Sequence, residues 1–493
     1  MKYSEEDEKN LEHLEFDKPI FVNLIESCKE QARETVIELI QREYKLSDDM
    51  ALKLYKIVEG DVRAELVSKN IVTLPHLEFE RKTDTDRFIY TNYVDFFNWQ
   101  NYTMNSIVYY QSVGDTIGYK NGDWEFNYNI PNPGPEYTFT LLNEFINLGG
   151  INDLDIKNWK ASDDTILYLA TIKAMQHLDY YDVSQSIEIE KLVEDAGALF
   201  QKEFVTVIPL IKNRHPGSVT NDSLEIQKLV RWDKIPYNDE AIGAGAVMRA
   251  GAIGLYFFGI ENRPALIALS ITNSLITHNS IISMLGCITY ALFTAYCIEK
   301  VDINIWIDEM LDLIHDSYTE TLFDMVIPGI KETFIRDRVL YAGKWKKYRD
   351  KFIVSGNFDS KYMKDISNRY KNLQENFSRG CGISGSCADD CLIFAYDSLL
   401  RSNGVLEKLL VYSLLHPGDS DTVGSIAFSL FAGYYNNPTR NAQISRYVTK
   451  LEFYKPMQEI NKKSTNIYIT LYYYHMFVYM ASQKLEKYVD LVR

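Results

Sequence analysis

Two short acidic segments carry the side chains best suited to chemistry in this chain. The first is Ser162-Asp163-Asp164-Thr165, and the second is Asp419-Ser420-Asp421-Thr422. Each places two carboxylates beside hydroxyl groups, and oxygen ligands of this kind are what a hard divalent cation such as Mg²⁺ binds. Together the segments could form a binuclear metal site, which would also neutralise a bound pyrophosphate.

Each segment also has a purely structural interpretation as the start of a helix. Ser162 and Asp419 are good N-cap residues, and the helix dipole favours acidic residues in the first turn. An apolar helix, Ile166 to Met175, is predicted after the first segment, and a helix with small residues such as Gly424 and Ala427 after the second. Taken singly, each segment is better explained as a cap, whereas the pair favours a metal site.

Three further motifs are less specific. Gly243–Gly254 is rich in glycine and alanine but matches neither a Walker nor a dinucleotide-binding fingerprint. It could be a helix that packs closely, or a backbone wall against which a sugar or a phosphate lies. His278, between two apolar helices, fits a buried core histidine about as well as a ligand contact. Asp389-Asp390 is either another carboxylate pair or simply a loop or helix cap.

The remaining sequence predicts the elements that must position these motifs. From Met104 onward apolar residues mostly follow helical spacing, and alternating strand patterns are scarce. Helical patterns also cover Phe21–Tyr44 and Asp49–Val58, whereas Ile71–Phe79 favours an extended segment and the acidic residues 1–17 are expected to be mobile. We therefore predict an all-α fold. Its two domains would be an N-terminal extension, residues 1–103, which could be an interaction module, and a catalytic domain, residues 104–493.

Composition narrows the classes of partner and compartment. The chain has 493 residues, a net charge of −16 and no run of Lys and Arg, so we expect no nucleic-acid partner. The uncharged stretch Ile281–Ile298 is long enough to span a membrane, but its polar residues and ordinary flanks favour a core helix. We therefore expect no membrane association.

The six cysteines and the charged N-terminus predict an intracellular, cytoplasmic protein with free thiols. Cys381, Cys387 and Cys391 lie close together in sequence and could indicate zinc. A fourth ligand and the usual paired spacing are both missing from that stretch, however, so thiols are the favoured interpretation.

The residues of these motifs and their order along the chain resemble the ADP-ribosylglycohydrolase family, and most nearly its arginine-specific members. The resemblance covers roughly residues 104–465, whereas the first hundred residues have no counterpart in the family pattern. The segments that carry it are Ser112–Tyr119, Asn121–Phe126, Leu148–Gly150, Trp159–Thr165, Ile235–Asn238, Gly243–Arg249, Thr277-His278, Ala395–Asp397 and His416–Thr422.

The resemblance implies a large orthogonal helical bundle, here with an additional, mostly helical N-terminal region, and a site with two Mg²⁺ ions, which Mn²⁺ could replace. The implied metal ligands are Ser162, Asp163, Asp164, Asp419, Asp421 and Thr422. Catalytic roles fall to Asp163, Asp164 and Glu125, the last of which matches a glutamate on a mobile loop. The implied ADP-ribose contacts are Tyr119, Gly243, Gly245, Ala246, Met248, His278, Ser384 and Gly385.

The activity implied by the resemblance is Mg²⁺-dependent hydrolysis of the N-glycosidic bond in ADP-ribosylated arginine. The partners would then be ADP-ribose and an ADP-ribosylated protein. Two alternatives stay open. One is hydrolysis of another ADP-ribosyl linkage, to serine or in O-acetyl-ADP-ribose, and the other is a non-catalytic protein that binds ADP-ribose.

Overall fold

The computed structural model describes residues 33–34, 36–68, 103–126, 134–178, 189–354, 356–359, 365–379, 383–435, 444–461, 481 and 484–492. The expectations for residues 1–17 and Ile71–Phe79 lie outside these ranges. The described residues form two compact units. The larger contains those between 103 and 460, and the smaller contains those between 33 and 68 together with those between 461 and 492.

The smaller unit joins N-terminal and C-terminal helices. Helix α1 covers residues 36–44 and helix α2 covers Asp48–Ser68, which confirms the two helical patterns predicted here within the described residues. Residues 484–488 are also helical, and a 3₁₀ turn, Val489–Leu491, follows them. The apolar core of this unit consists of Val36, Ile40, Ala51, Leu54, Tyr55, Val58, Val62, Ala481, Leu485 and Val489.

The larger unit is helical almost throughout its described residues, which confirms the all-α prediction. Its one regular strand pair there is antiparallel, β1 (Ile353–Val354) with β2 (Asn357–Phe358). Single-turn α-helices are Gly150–Asp153 and Ile208–Ile211, and 3₁₀ turns are Lys120–Gly122, Ala244–Ala246, Ile260–Asn262 and Ile303–Ile305. The longer helices, in chain order, are α3 (103–119), α4 (Tyr137–Asn147), α5 (Asp163–His177), α6 (Ile189–Thr206), α7 (Ser218–Gln227), α8 (Val247–Gly254), α9 (Arg263–Leu275), α10 (Ile281–Glu299), α11 (Trp306–His315), α12 (Ser317–Val326), α13 (Lys331–Phe352), α14 (Ile366–Phe377), α15 (Cys391–Ser402), α16 (Leu406–Leu414), α17 (Ser420–Tyr434), α18 (444–448) and α19 (454–461).

Helix α10 lies at the centre of the larger unit. It is long and apolar enough to cross a membrane, but its most apolar stretch is entirely buried among helices that include α8, α9, α13 and α17. Helix α8 approaches it so closely that a Cβ atom at Gly251 would lie 2.5 Å from Tyr290 Cζ. The interpretation of Ile281–Ile298 as a core helix is therefore the one that the structure supports.

Helices α3 and α17 touch through their main chains. A Cβ atom at Gly114 would collide with the carbonyl oxygen of Gly424, and one at Gly118 would lie 2.7 Å from Asp421 Cα. Gly114 and Gly118 are about one turn apart, so the contact extends along the helix. Because Asp115 follows Gly114, this packing brings Asp115 towards Asp421.

The structure also shows the surroundings of the Asp389-Asp390 pair and of the cysteines. Asp389 forms ion pairs with Lys344, at 2.7 Å, and Arg379, at 3.0 Å, while Asp390 Oδ1 accepts a hydrogen bond from the Cys387 main-chain N–H just before α15. The structure thus favours the loop and cap interpretation of this pair. Of the cysteines, those within the described residues are buried thiols, as expected: Cys287, Cys297, Cys387 and Cys391.

Candidate active site

The first acidic segment starts α5, as its cap residues predict. Ser162 is the N-cap, and its Oγ accepts a hydrogen bond of 3.1 Å from the Asp164 N–H. The carboxylate of Asp115 accepts hydrogen bonds from the Ser162 N–H, at 3.1 Å, and from the Thr165 N–H, at 3.2 Å, as well as from the Thr165 hydroxyl. Asp115 therefore fixes the first turn of α5, a role that the sequence analysis did not assign to it.

The second acidic segment starts α17 in the same way. Asp419 is the N-cap, and its Oδ1 accepts a hydrogen bond of 3.2 Å from the Thr422 N–H. One turn later, the Ser425 hydroxyl donates to Asp164 Oδ2 at 3.2 Å. The two segments therefore meet at the N-termini of α5 and α17, although they are distant in sequence. The cap interpretation is confirmed for both segments, and the metal site stays a prediction.

Six buried carboxyl groups share this region. Burial, followed by repulsion from neighbouring carboxylates, raises the pKa of Asp115 to about 7, that of Asp163 to about 8 and that of Glu125 to about 12. The same causes raise the pKa of Asp164 and Asp419, and burial raises that of Asp421. The complete cluster is Asp115, Glu125, Asp163, Asp164, Asp419 and Asp421.

Positive charge is scarce around this acidic cluster. Among the described residues, none of the five aspartates forms an ion pair with Lys, Arg or His, and Glu125 meets only His215, at 3.4 Å. Asp421 Oδ1 is buried and has no hydrogen-bond partner in the described part of the chain. Buried carboxylates without counter-ions are costly, so the cluster must take up either protons or cations.

The donor atoms of the acidic cluster are of the type that a hard cation binds, but their present positions do not form a complete set of ligands. They are carboxylate and hydroxyl oxygens, which Mg²⁺ and Mn²⁺ prefer, and the orphaned Asp421 Oδ1 is a free acceptor. Within the described part of the chain, however, no three His, Cys, Asp or Glu side chains could hold a metal ion as they stand. A bound cation would therefore require the hydroxyls of Ser162 and Thr422 as further ligands, or a change in side-chain rotamers.

Glu125 is held against the acidic cluster by contacts on both sides of it in the chain. It is 3% exposed. The preceding Trp124 donates its indole N–H to Glu144 at 3.1 Å, and the following Phe126 donates its main-chain N–H to the Gly418 carbonyl at 3.3 Å. Residues 124–126 are thus held beside the second acidic segment. Mobility of the loop stays a prediction.

Tyr119 and His215 lie beside Glu125. Tyr119 ends α3 and is buried, with its ring centroid 5.9 Å from that of His215. Burial, followed by the negative charges of Glu125 and Asp421, raises the pKa of the Tyr119 hydroxyl. The predicted ligand residue Tyr119 is therefore close to the acids. No role for His215 could be predicted, because a single histidine in a Pro/Gly loop carries no specific signal.

The predicted backbone wall packs against His278. A Cβ atom at Gly243 would lie 3.2 Å from His278 Nε2, and one at Gly245 would lie 3.0 Å from His278 Cε1. Burial, and then the charge of Arg249, lowers the pKa of His278 to about 3, so the imidazole is neutral. His278 thus packs directly against Gly243 and Gly245, and its contact with ADP-ribose stays a prediction. Ala246 and Met248, in the same segment, are both buried.

The loop that contains Ser384 and Gly385 joins this wall to the second acidic segment. The Ala244 N–H donates to the Ser386 carbonyl at 2.8 Å, and the Asp419 N–H donates to the Ser384 carbonyl at 2.9 Å. Gly385 has φ +86°, a backbone conformation that favours glycine. These hydrogen bonds connect the glycine wall to the second acidic segment through this loop. That the wall and the loop line ADP-ribose stays a prediction.

Comparisons with known proteins identify the family of this chain. The family model for ADP-ribosylglycohydrolase matches residues 110–440, which is more than half of the chain. A protein of Acanthamoeba polyphaga mimivirus, described as an ADP-ribosyl glycohydrolase, is 40% identical over 471 residues, which cover 94% of this chain and 89% of that protein. The chain therefore belongs to the ADP-ribosylglycohydrolase family.

A second relative is the ADP-ribosylhydrolase ARH1 of Dictyostelium discoideum. It is 29% identical over 350 residues, which cover 66% of this chain and 84% of that protein. The mimivirus match covers so much of the chain that it must include part of residues 1–103. The expectation that the first hundred residues have no counterpart is therefore wrong for this relative, although the family model begins only at residue 110.

Proposed function

We propose that this family member is a Mg²⁺-dependent hydrolase that releases ADP-ribose from modified arginine side chains of proteins. The observation that supports a divalent cation is the acidic cluster, whose aspartates have no basic partner among the described residues. The Gly243–Gly245 wall and the Ser384-Gly385 loop would line the ADP-ribose. The metal ligands would be Ser162, Asp163, Asp164, Asp419, Asp421 and Thr422.

In this proposal, different side chains of the protein carry out different steps of hydrolysis. Bound cations would supply charge neutralisation and a hold on the ribose hydroxyls. A carboxylate of Asp163, Asp164 or Glu125 takes the proton of the attacking water, a contribution of ~10²–10⁴-fold in rate. The surrounding carboxylates stabilise positive charge that grows on the ribose ring as the bond to the guanidinium breaks. Glu125 also helps to exclude bulk water, because it is buried beside the acids.

Arginine is the proposed linkage because two segments match the arginine-specific pattern. These are Trp124-Glu125-Phe126 and His416–Asp421, and the hydrogen bond from the Phe126 N–H to the Gly418 carbonyl joins them. Hydrolysis of ADP-ribosyl serine or O-acetyl-ADP-ribose is the alternative activity. A non-catalytic binder of ADP-ribose is disfavoured because all the acids are present.

The test is turnover on three substrates: an ADP-ribosyl-arginine peptide, an ADP-ribosyl-serine peptide and O-acetyl-ADP-ribose. Each is assayed in Mg²⁺ and in EDTA. We expect release from arginine in Mg²⁺ alone. Asp163→Ala and Asp421→Ala should abolish release, whereas the exposed Asp155→Ala, outside the acidic cluster, should leave it unchanged.

Three outcomes would contradict parts of this proposal. Release from serine alone would refute the arginine linkage. Full activity in EDTA would refute the metal requirement. No turnover on any of the three substrates, together with tight binding of ADP-ribose in EDTA, would favour the non-catalytic binder.

A further inference from the structure

The segment after the matched family region packs against the residues that lead into α5. This segment comprises α18, α19 and the residues between them, and it follows residue 440, where the family match ends. The Arg446 guanidinium and the Tyr447 hydroxyl both donate to the Ile151 carbonyl. Further along, Lys450 Nζ lies 2.8 Å from Asp155 Oδ1 at the protein surface.

Glu452, between α18 and α19, reaches further inward. Its two carboxylate oxygens accept hydrogen bonds from the two terminal nitrogens of the Arg214 guanidinium, at 2.7 and 2.8 Å. Bidentate pairs of this kind are stronger and more directional than single contacts. Both side chains are largely buried, with 8% of Arg214 and 13% of Glu452 exposed.

This pair holds both main-chain polar groups of Ala161. The Ala161 N–H donates to Glu452 Oε2 at 3.1 Å, and the Ala161 carbonyl accepts a hydrogen bond of 2.6 Å from Arg214. The next residue is Ser162, whose N–H is bonded to Asp115. The entry to the first acidic segment is therefore fixed from two sides, by Asp115 within the family match and by Glu452 beyond it.

We propose that Arg214 and Glu452 are a positioning pair that sets the place of Ser162, Asp163 and Asp164. Residues 444–461 are then a working part of the active site rather than an appendage of the family domain. The inference rests on the proposed function, in which these three residues bind the cation. It assigns no direct contact with substrate to either member of the pair.

The test compares Glu452→Gln with Lys450→Ala in the full-length protein. Glutamine keeps the size of the side chain but removes its charge and the second strong acceptor. Lys450→Ala removes an exposed ion pair that links the same two segments without touching Ala161. The first readout is the affinity for Mn²⁺, measured by titration and monitored by electron paramagnetic resonance. The second is hydrogen exchange of the main-chain amides of residues 162–165, measured without metal.

We expect Glu452→Gln to weaken Mn²⁺ binding by about 10-fold or more, as loss of an outer partner does at other metal sites. Amide exchange over residues 162–165 should accelerate, while Lys450→Ala should change neither quantity. The proposal is overturned if Glu452→Gln leaves both quantities at wild-type values, or if Lys450→Ala changes them equally.

A second variant covers the case in which Glu452→Gln does not fold. Arg214→Lys keeps the positive charge but loses the bidentate geometry, so it should produce the same two changes. Wild-type values in that variant would also overturn the proposal. If the wild-type protein itself binds no Mn²⁺, the proposed function fails at the metal step. The exchange readout then still decides whether the pair positions the first acidic segment.

Discussion

Replacing Asp163 with asparagine should stabilise the protein when no divalent cation is present. Burial and neighbouring carboxylates raise the pKa of Asp163 from 3.8 to about 8, so at pH 7 the folded protein holds a proton that the unfolded chain has released. The unfolded-state pKa of 3.8 lies 3.2 units below pH 7. At about 1.4 kcal/mol for each unit, taking up this proton costs the folded protein about 4 kcal/mol. Asparagine needs no such proton, but its amide must also be buried, so we expect a gain of roughly 2–4 kcal/mol.

The same shift fixes the direction of the pH dependence. The folded-state pKa of Asp163 lies above its unfolded value, so its cost is absent below about pH 4, grows with pH and is complete above about pH 8. Cation-free wild-type protein should therefore lose stability between pH 4 and pH 8. The Asp163→Asn variant should lose less over that range.

The assay is urea unfolding in EDTA at pH 5, 7 and 8, monitored by tryptophan fluorescence. Repeating it in Mg²⁺ should reverse the order of the two proteins, because the variant lacks a proposed ligand. The reasoning is refuted if Asp163→Asn is less stable than wild type in EDTA at pH 7, or if both proteins show the same pH dependence.

Three further perturbations test other parts of the structure. Asp397→Asn should lower the free energy of unfolding by about 3–5 kcal/mol, because it leaves two buried arginines without their carboxylate, and an unchanged urea midpoint would contradict this. Gly114→Ala should lower the thermal midpoint, since its Cβ would meet the Gly424 carbonyl. The control Gly60→Ala meets no atom of the described residues within 4 Å and should stabilise by about 1 kcal/mol. In calorimetry, Mg²⁺ at about 100 times its Kd should stabilise the wild type by about 2.7 kcal/mol. Asp421→Asn should lose that gain, and a retained gain would mean that the cation binds elsewhere.

Local interactions explain why much of the site could be predicted from the sequence. Ser162 and Asp419 cap their helices through N–H groups two and three residues away, so the signal lies within a few neighbouring letters. The glycine-rich segment supported two interpretations, of which close packing is confirmed by the contact of Gly251 with Tyr290. Gly243 and Gly245 lie against His278, and their contact with ADP-ribose stays a prediction.

The residues that the sequence analysis missed act over long separations. Glu452 and Ala161 are 291 positions apart, and nothing in the letters around either residue indicates their hydrogen bond. Asp115 stood within a recognised motif, but its partners Ser162 and Thr165 become apparent only once α3 and α5 are packed together. The grouping of residues 481–492 with α1 and α2 depends in the same way on tertiary contacts.

The main-chain contact between α3 and α17 bears on how inactive relatives should be recognised. The separation of Asp115 and Asp421 depends on two helical backbones in direct contact at Gly114 and Gly118, rather than on adjustable side-chain rotamers. A homologue could retain every acid and still lose their register through one added methyl group on α3. Inspection of the carboxylates alone would class such a protein as competent. The two glycines therefore deserve the same scrutiny as the acids when gene copies are sorted into active and degenerate forms.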